Sequence, residues 1–180
     1  MRFKWVLLLF LLTGCVGCDQ VSKGVAIDRL SGIKGLSYLG DTVRLVYAEN
    51  TGAFLGLGEH WPPVVRWGVF TVLSAVFVIA AGVYALRQIR GVTSWRGLCT
   101  AGAIGLVAAG GLGNLIDRFC RNGAVVDFMN LGIGPVRTGI FNVADVQIML
   151  GCALFAFGDR RASPATPRVH RERKCGNTGS

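Results

Sequence analysis

The stretch LCTAGAIGLVAAGGLGNLIDR, Leu98 to Arg118, decides the architecture. From Leu98 to Ile116 it carries no charge over 19 residues, enough for a helix to cross a hydrocarbon core about 30 Å thick. Nine of the 16 residues from Leu98 to Gly113 are Gly or Ala, and small residues let helix backbones approach closely. Read instead as a phosphate loop, Gly110-Gly111-Leu112-Gly113 lacks both a preceding strand and a Lys-Ser/Thr pair. The stretch is a packing helix that ends in Asn114, Asp117 and Arg118.

Further apolar stretches lie on either side. Trp67 to Leu86 is 20 residues without a charge, and Gly139 to Gly158 is another 20 in which Asp145 is the one charge. At the N-terminus only Trp5 to Cys18 is uncharged, so that segment spans by including Asp19, Gln20, Val21 and Ser22. The predicted spans are therefore about 5–22, 67–86, 98–116 and 139–158. Residues 1–160 form one membrane domain, and 161–180 form a basic, disordered tail. The first segment has a second reading, a lipoprotein signal with Leu12-Thr13-Gly14-Cys15 as a lipobox and Cys15 as the lipidated residue. Three further spans and the polar cluster from Asp19 to Lys23 favour a retained helix.

Composition agrees with a membrane protein. Of 180 residues 52% are hydrophobic and only 16% charged, with a mean hydropathy of +0.50. The net charge of +9 is explained by topology. With four spans, one side holds 11 Lys and Arg in 37 positions and the other 8 in 66, so the richer side is cytoplasmic and both termini lie inside. The cluster Arg160, Arg161, Arg168, Arg171, Arg173 and Lys174 is then an anchor facing anionic phospholipid, and no nucleic acid is needed. Cys15 and Cys18 form a C-x-x-C without a second pair or a βαβ context, so they read as packing residues. His60 and His170 fall on opposite sides, which leaves no His-based metal site.

In the first outer loop, Thr42-Val-Arg-Leu-Val-Tyr47 has the β-branched and aromatic content of a short strand pair. The loop is expected to be ordered and to lie against the membrane. Ionisable groups at membrane depth default to a functional role, and Asp19, Asp117, Asp127 and Asp145 all lie towards the outer ends of the spans. Asp145 is placed about five residues into the fourth helix, roughly 7 to 8 Å below its start. Asp127 sits in a loop between Val125-Val126 and Phe128-Met129, where desolvation raises a carboxyl pKa. Any single acid is readily explained by pairing with Arg118 or Arg121. Four acids with Asn50, Asn114, Asn142 and Arg118 on one face point to a shared polar site. Facing each other, two such acids can share a proton, one activating water while the other polarises a peptide carbonyl.

Five blocks in order carry a resemblance: Asp19-Gln-Val-Ser-Lys23, Asn50-Thr-Gly-Ala-Phe54, Gly113-Asn-Leu-Ile-Asp-Arg118, Val125-Val-Asp-Phe128 and Phe141-Asn-Val-Ala-Asp145. The chain resembles the bacterial signal peptidase II (lipoprotein signal peptidase) family. That resemblance implies a fold of four transmembrane helices with a small extracytoplasmic β-cradle and a mobile periplasmic surface helix near Gly56. It implies an aspartyl endopeptidase in the bacterial inner membrane, its site near the outer face, which cuts diacylglyceryl-modified prolipoproteins before the lipidated Cys. Asp127 and Asp145 match the catalytic dyad, and Asn50, Gly52, Asn114, Arg118, Asn142 and Ala144 match positions that line or support it. Asp19 and Lys23 match a structural motif at the end of the first helix. No metal or cofactor is expected, the protein is expected to be monomeric, and the family is a target of globomycin. The basic tail after Arg160 lies outside all five blocks. Two rival readings, a small proton carrier and a lipid-anchored structural protein, predict respectively acids at several depths and release of the first 14 residues.

Overall fold

The computed structural model describes residues 2–52 and 61–159. Their elements run α1 (Arg2–Leu30), β1 (Leu36–Tyr38), β2 (Val43–Asn50), α2 (Pro63–Gly91), α3 (Trp95–Cys120), β3 (Val125–Ile133), β4 (Val136–Arg137) and α4 (Val143–Asp159). The surface helix expected near Gly56 and the tail at 161–180 lie outside the described residues.

Among the described residues, α1, α2 and α3 are long and apolar enough to cross a membrane. Large apolar side chains face outward on them, Phe10 and Ile79 among these, as expected where the surrounding solvent is lipid. Helix α1 is longer than the span read from sequence. It continues past Lys23 because Asp19, Lys23, Ala26 and Leu30 are buried at spacings of three and four, one stripe of a single helix. Asp19 and Lys23 therefore sit inside α1 rather than at its end. Their ion pair removes the polar break that the sequence suggests.

Helix α4 is shorter than expected, 17 residues from Val143. Phe141 is held in extended conformation, its N–H donating to Met129 O at 2.9 Å and its carbonyl accepting from Met129 N at 2.8 Å. The helix cannot begin before that pairing ends.

Helices consecutive in the chain run antiparallel, and α1 and α3 run parallel, with Leu8 against Gly105 near their starts and Lys23 against Asn114 further along. Only Val92, Thr93 and Ser94 separate α2 from α3, and Ser94 caps α3 by accepting from Gly97 N at 3.2 Å. Lys4 donates to Arg90 O at 3.3 Å and Val92 O at 3.1 Å, so α1 starts where α2 ends. Helix α3 packs against α1, α2 and α4. Its small residues allow this, since a Cβ on Gly110 would collide with the Ala144 carbonyl of α4. Leu8, Ile89 and Ala101 form the core at one end. At the other, Ala26 and Leu30 pack on Phe128 of β3, with Leu45, Tyr47, Met129 and Val143 around them.

That second cluster joins the helices to a four-stranded antiparallel sheet in the order β1-β2-β3-β4. The strand pair expected around Thr42 to Tyr47 is present as β1 and β2. The segment around Asp127, expected as a loop, is instead strand β3. Ala48 of β2 opposes Asp127, Asn50 opposes Val125, and the register shifts between Leu45 and Ala48. The sheet thus presents Asn50 and Asp127 together.

Candidate active site

The start of α4 organises the site. Asn142 is its N-cap: its Oδ1 accepts from Asp145 N at 3.0 Å, and Asp145 Oδ2 accepts from Asn142 N at 3.1 Å. This is a capping box with aspartate in the third helical position. Asp145 therefore sits in the first turn, about 4 to 5 Å along the helix, and not the deeper position read from sequence. The neighbouring amide, Ala144 N, donates to Asp19 Oδ1 of α1 at 2.9 Å. Two carboxylates thus meet the positive end of the α4 dipole. Ala144 itself is fully buried, and a Cβ on Gly113 would strike Asp19 and touch Ala144. Only small residues fit there.

Asp127 reaches the same cap from β3. Asn142 Nδ2 donates to Asp127 Oδ1 at 2.6 Å, and Asn50 Nδ2 donates to Asp127 Oδ2 at 3.1 Å. Asp127 is only 3% exposed. Burial above all, then the nearby charge of Asp145, push its carboxyl up to about 6, against the smaller opposing effect of the two asparagine bonds. Asp145 is half-buried. Its Oδ1 accepts from Asn114 Nδ2 at 3.0 Å.

Arg118 holds the rim. Its two terminal nitrogens donate to Gly52 O at 2.8 Å and Gly123 O at 2.9 Å, while Gly52 N donates to Asn50 Oδ1 at 3.1 Å. The guanidinium carbon lies 5.8 Å from the Phe70 ring centroid, and that ring stacks on Trp61 at 5.9 Å. Arg118 thereby fixes residues 50–52 beside Asp127, and its hydrogen bonds go to carbonyls, not to either acid. Arg121 lies 3.7 Å from Asp117. Pairing with Lys23 at 3.0 Å, with Arg121 farther off, thus accounts for Asp117, whereas Asp127 and Asp145 have asparagine partners.

Beneath the two acids lies Lys23, fully buried. It is 2.8 Å from Asp19 and 3.0 Å from Asp117, and it donates to Asn114 Oδ1 at 2.9 Å. All eleven residues singled out from the sequence for a polar site, Asp117 included, are brought into one network. Three participants escaped the sequence reading: Gln20, which donates to Gly113 O and Asp19; Gln147, which donates to Cys15 O; and the Val126 amide, which donates to Asp117. Among these, Gln20 and Val126 gave a signal, each by standing beside a singled-out aspartate. Cys15 is half-buried and Cys18 exposed, both as free thiols.

Comparison with known proteins gives a consistent picture. The family described as signal peptidase (SPase) II matches residues 11–158. The chain is 36% identical over 161 residues to the lipoprotein signal peptidase of Chlorobium phaeovibrioides, covering 84% of this chain and 89% of that protein. To the lipoprotein signal peptidase of Borrelia turicatae it is 31% identical over 146 residues, covering 78% and 82%. A bacterial membrane enzyme solved by the in meso method at 2.3 Å resolution superposes with a TM-score of 0.68 at 25% identity, covering 86% of this chain and 88% of the other.

Proposed function

The chain belongs to the signal peptidase II family, and from that membership we propose that Asp127 and Asp145 form its aspartyl dyad. The protein is a multi-pass bacterial membrane protease that removes signal peptides from prolipoproteins. The dyad reading rests on one observation above the others: Asn142 binds both carboxylates, Asp127 through its side chain and Asp145 through its backbone. The site also holds four acids, Asp19, Asp117, Asp127 and Asp145, against the buried cations Lys23 and Arg118. Burial, and then the nearby charge of Asp145, favour retention on Asp127 of the proton that the dyad shares.

Chemistry follows from that shared proton. The ionised carboxyl takes a proton from water, whose oxygen bonds to the scissile carbonyl carbon. The protonated carboxyl donates to the carbonyl oxygen as it gains charge. Collapse of the tetrahedral intermediate breaks the C–N bond and re-forms the carbonyl; the proton taken from water passes to the departing amine, and one hydroxyl proton of the intermediate returns to the carboxylate that donated it. The cut falls just before the diacylglyceryl-modified Cys, whose acyl chains keep the scissile bond at the membrane surface. Asn50, Gly52, Asn114, Arg118, Asn142 and Ala144 line or support the dyad.

Helix α4 serves as the fourth span, about 25 Å long at its 17 residues. Both termini face the cytoplasm, the dyad lies near the outer face, and the tail at 161–180 meets anionic phospholipid. The enzyme acts as a monomer. A proton carrier would need acids at several depths, yet no Asp or Glu occurs between Trp67 and Ile116. Intact-mass analysis of products from a diacylglyceryl-modified prolipoprotein tests the cut site. The expected product begins with the lipidated Cys, and cleavage at any other bond would contradict the assignment.

A further inference from the structure

Lys23 offers three N–H donors, one directed to Asp19 of its own helix α1 and two to Asn114 and Asp117 of α3. Asp19 Oδ2 lies at 2.8 Å, Asn114 Oδ1 at 2.9 Å and Asp117 Oδ2 at 3.0 Å. Each acceptor then holds a group next to the dyad. Asp19 Oδ1 binds the Ala144 amide, one residue before Asp145. Asn114 Nδ2 binds Asp145 Oδ1. Asp117 Oδ2 binds the Val126 amide at 3.1 Å, one residue before Asp127. Two routes from the lysine lead to Asp145, and the route through Asp117 leads to the Asp127 backbone.

We propose that Asp117 is a positioning residue for Asp127: pinned by Lys23, its carboxylate fixes the Val126 amide and so sets the height of Asp127 relative to Asp145. The inference rests on the dyad reading and adds a residue to it. Asp117 is 1% exposed and Val126 fully buried, so this bond has no exchange with bulk water to soften it. Successive strand residues point to opposite faces, and a rotation of the Val126 peptide would swing the Asp127 side chain away from Asn142. Lys23 would then hold both acids to one reference point, and a small misplacement of a reacting group costs orders of magnitude in rate.

The variants that test this differ in what they leave behind. Asp117→Leu removes the acceptor, Asp117→Asn keeps an oxygen for the Val126 amide, and Val126→Pro removes the donor while leaving the Lys23–Asp117 pair intact. Cleavage of a diacylglyceryl-modified prolipoprotein is followed in proteoliposomes, together with amide hydrogen exchange across β3. Asp117→Leu and Val126→Pro are expected to lower kcat at least tenfold with KM within twofold of the parent. Asp117→Asn is expected to recover to within fivefold. Exchange should rise in β3 of the Leu variant and remain parental in α2. If Asp117→Leu does not fold, Val126→Pro decides alone. A parental kcat in a folded Asp117→Leu or in Val126→Pro would overturn the positioning role. Asp127→Asn is measured alongside: cleavage by that variant would remove the dyad reading and this inference with it, whereas its inactivity confines a failure to Asp117.

Discussion

Asn142 Nδ2 lies 2.6 Å from Asp127 Oδ1, although the two residues belong to different elements, a helix cap and a sheet strand. The same asparagine closes the first turn of α4 around Asp145. One buried amide therefore carries both a folding role and an orienting role. Asn142→Ala separates them. Loss of a helix cap costs about 1 kcal/mol, whereas loss of a donor that orients reacting groups costs about 100-fold in kcat. Thermal unfolding and turnover measured on the same preparation check the contrast, and equal losses in both would show a purely structural asparagine.

The Asn50 bond to Asp127 favours the ionised carboxyl and works against the burial that pushes it up to about 6. In Asn50→Leu that support is gone, so the carboxyl holds its proton to higher pH. Activity that needs a proton on the pair then declines at higher pH. The descending limb of the kcat/KM profile should move alkaline by roughly half a pH unit or more, even as the rate falls. An acid shift would contradict the assignment of Asp127.

Two glycines of α3 should behave oppositely. A Cβ at Gly102 meets nothing within 4 Å, whereas at Gly110 it would run into the Ala144 carbonyl and Ile148 of α4. Gly102→Ala should be neutral or stabilising by up to about 1 kcal/mol. Gly110→Ala should cost about 1 to 3 kcal/mol by overpacking and lower turnover by displacing the turn that carries Asp145. Thermal unfolding and cleavage by the two variants provide the comparison.

Much of this arrangement is legible in the sequence because its signals are local. Trp67 to Leu86 and Leu98 to Ile116 are uncharged runs, and α2 and α3 contain them. The five short blocks carry every residue proposed for the dyad and its support. The rest depends on distant pairings. Asp19 and Lys23 read as the polar end of a span, yet Lys23 and Asn114 meet across 91 positions, and that burial lets α1 continue to Leu30. Strand β3 was hidden because VVDFMN is buried at five of its six positions, which removes the alternation that marks a half-exposed strand. Helix α4 starts four residues after the apolar stretch begins at Gly139, because pairing of Phe141 with β3 outweighs its span-like sequence.

Orientation is tested with single-cysteine variants. Cys99 and Cys120 are exposed free thiols near opposite ends of α3. In intact spheroplasts a membrane-impermeant maleimide should label Cys120 and spare Cys99, with the reverse in inverted vesicles. The opposite pattern would turn the topology over.

The central claim is most directly tested by cleavage of a diacylglyceryl-modified prolipoprotein by the parent, Asp127→Asn and Asp145→Asn, each matched for expression and membrane insertion. A globomycin-sensitive parent with both variants inactive, their rates at least about 1000-fold lower, is the predicted result. Parental cleavage by either correctly inserted variant would contradict a dyad formed by Asp127 and Asp145.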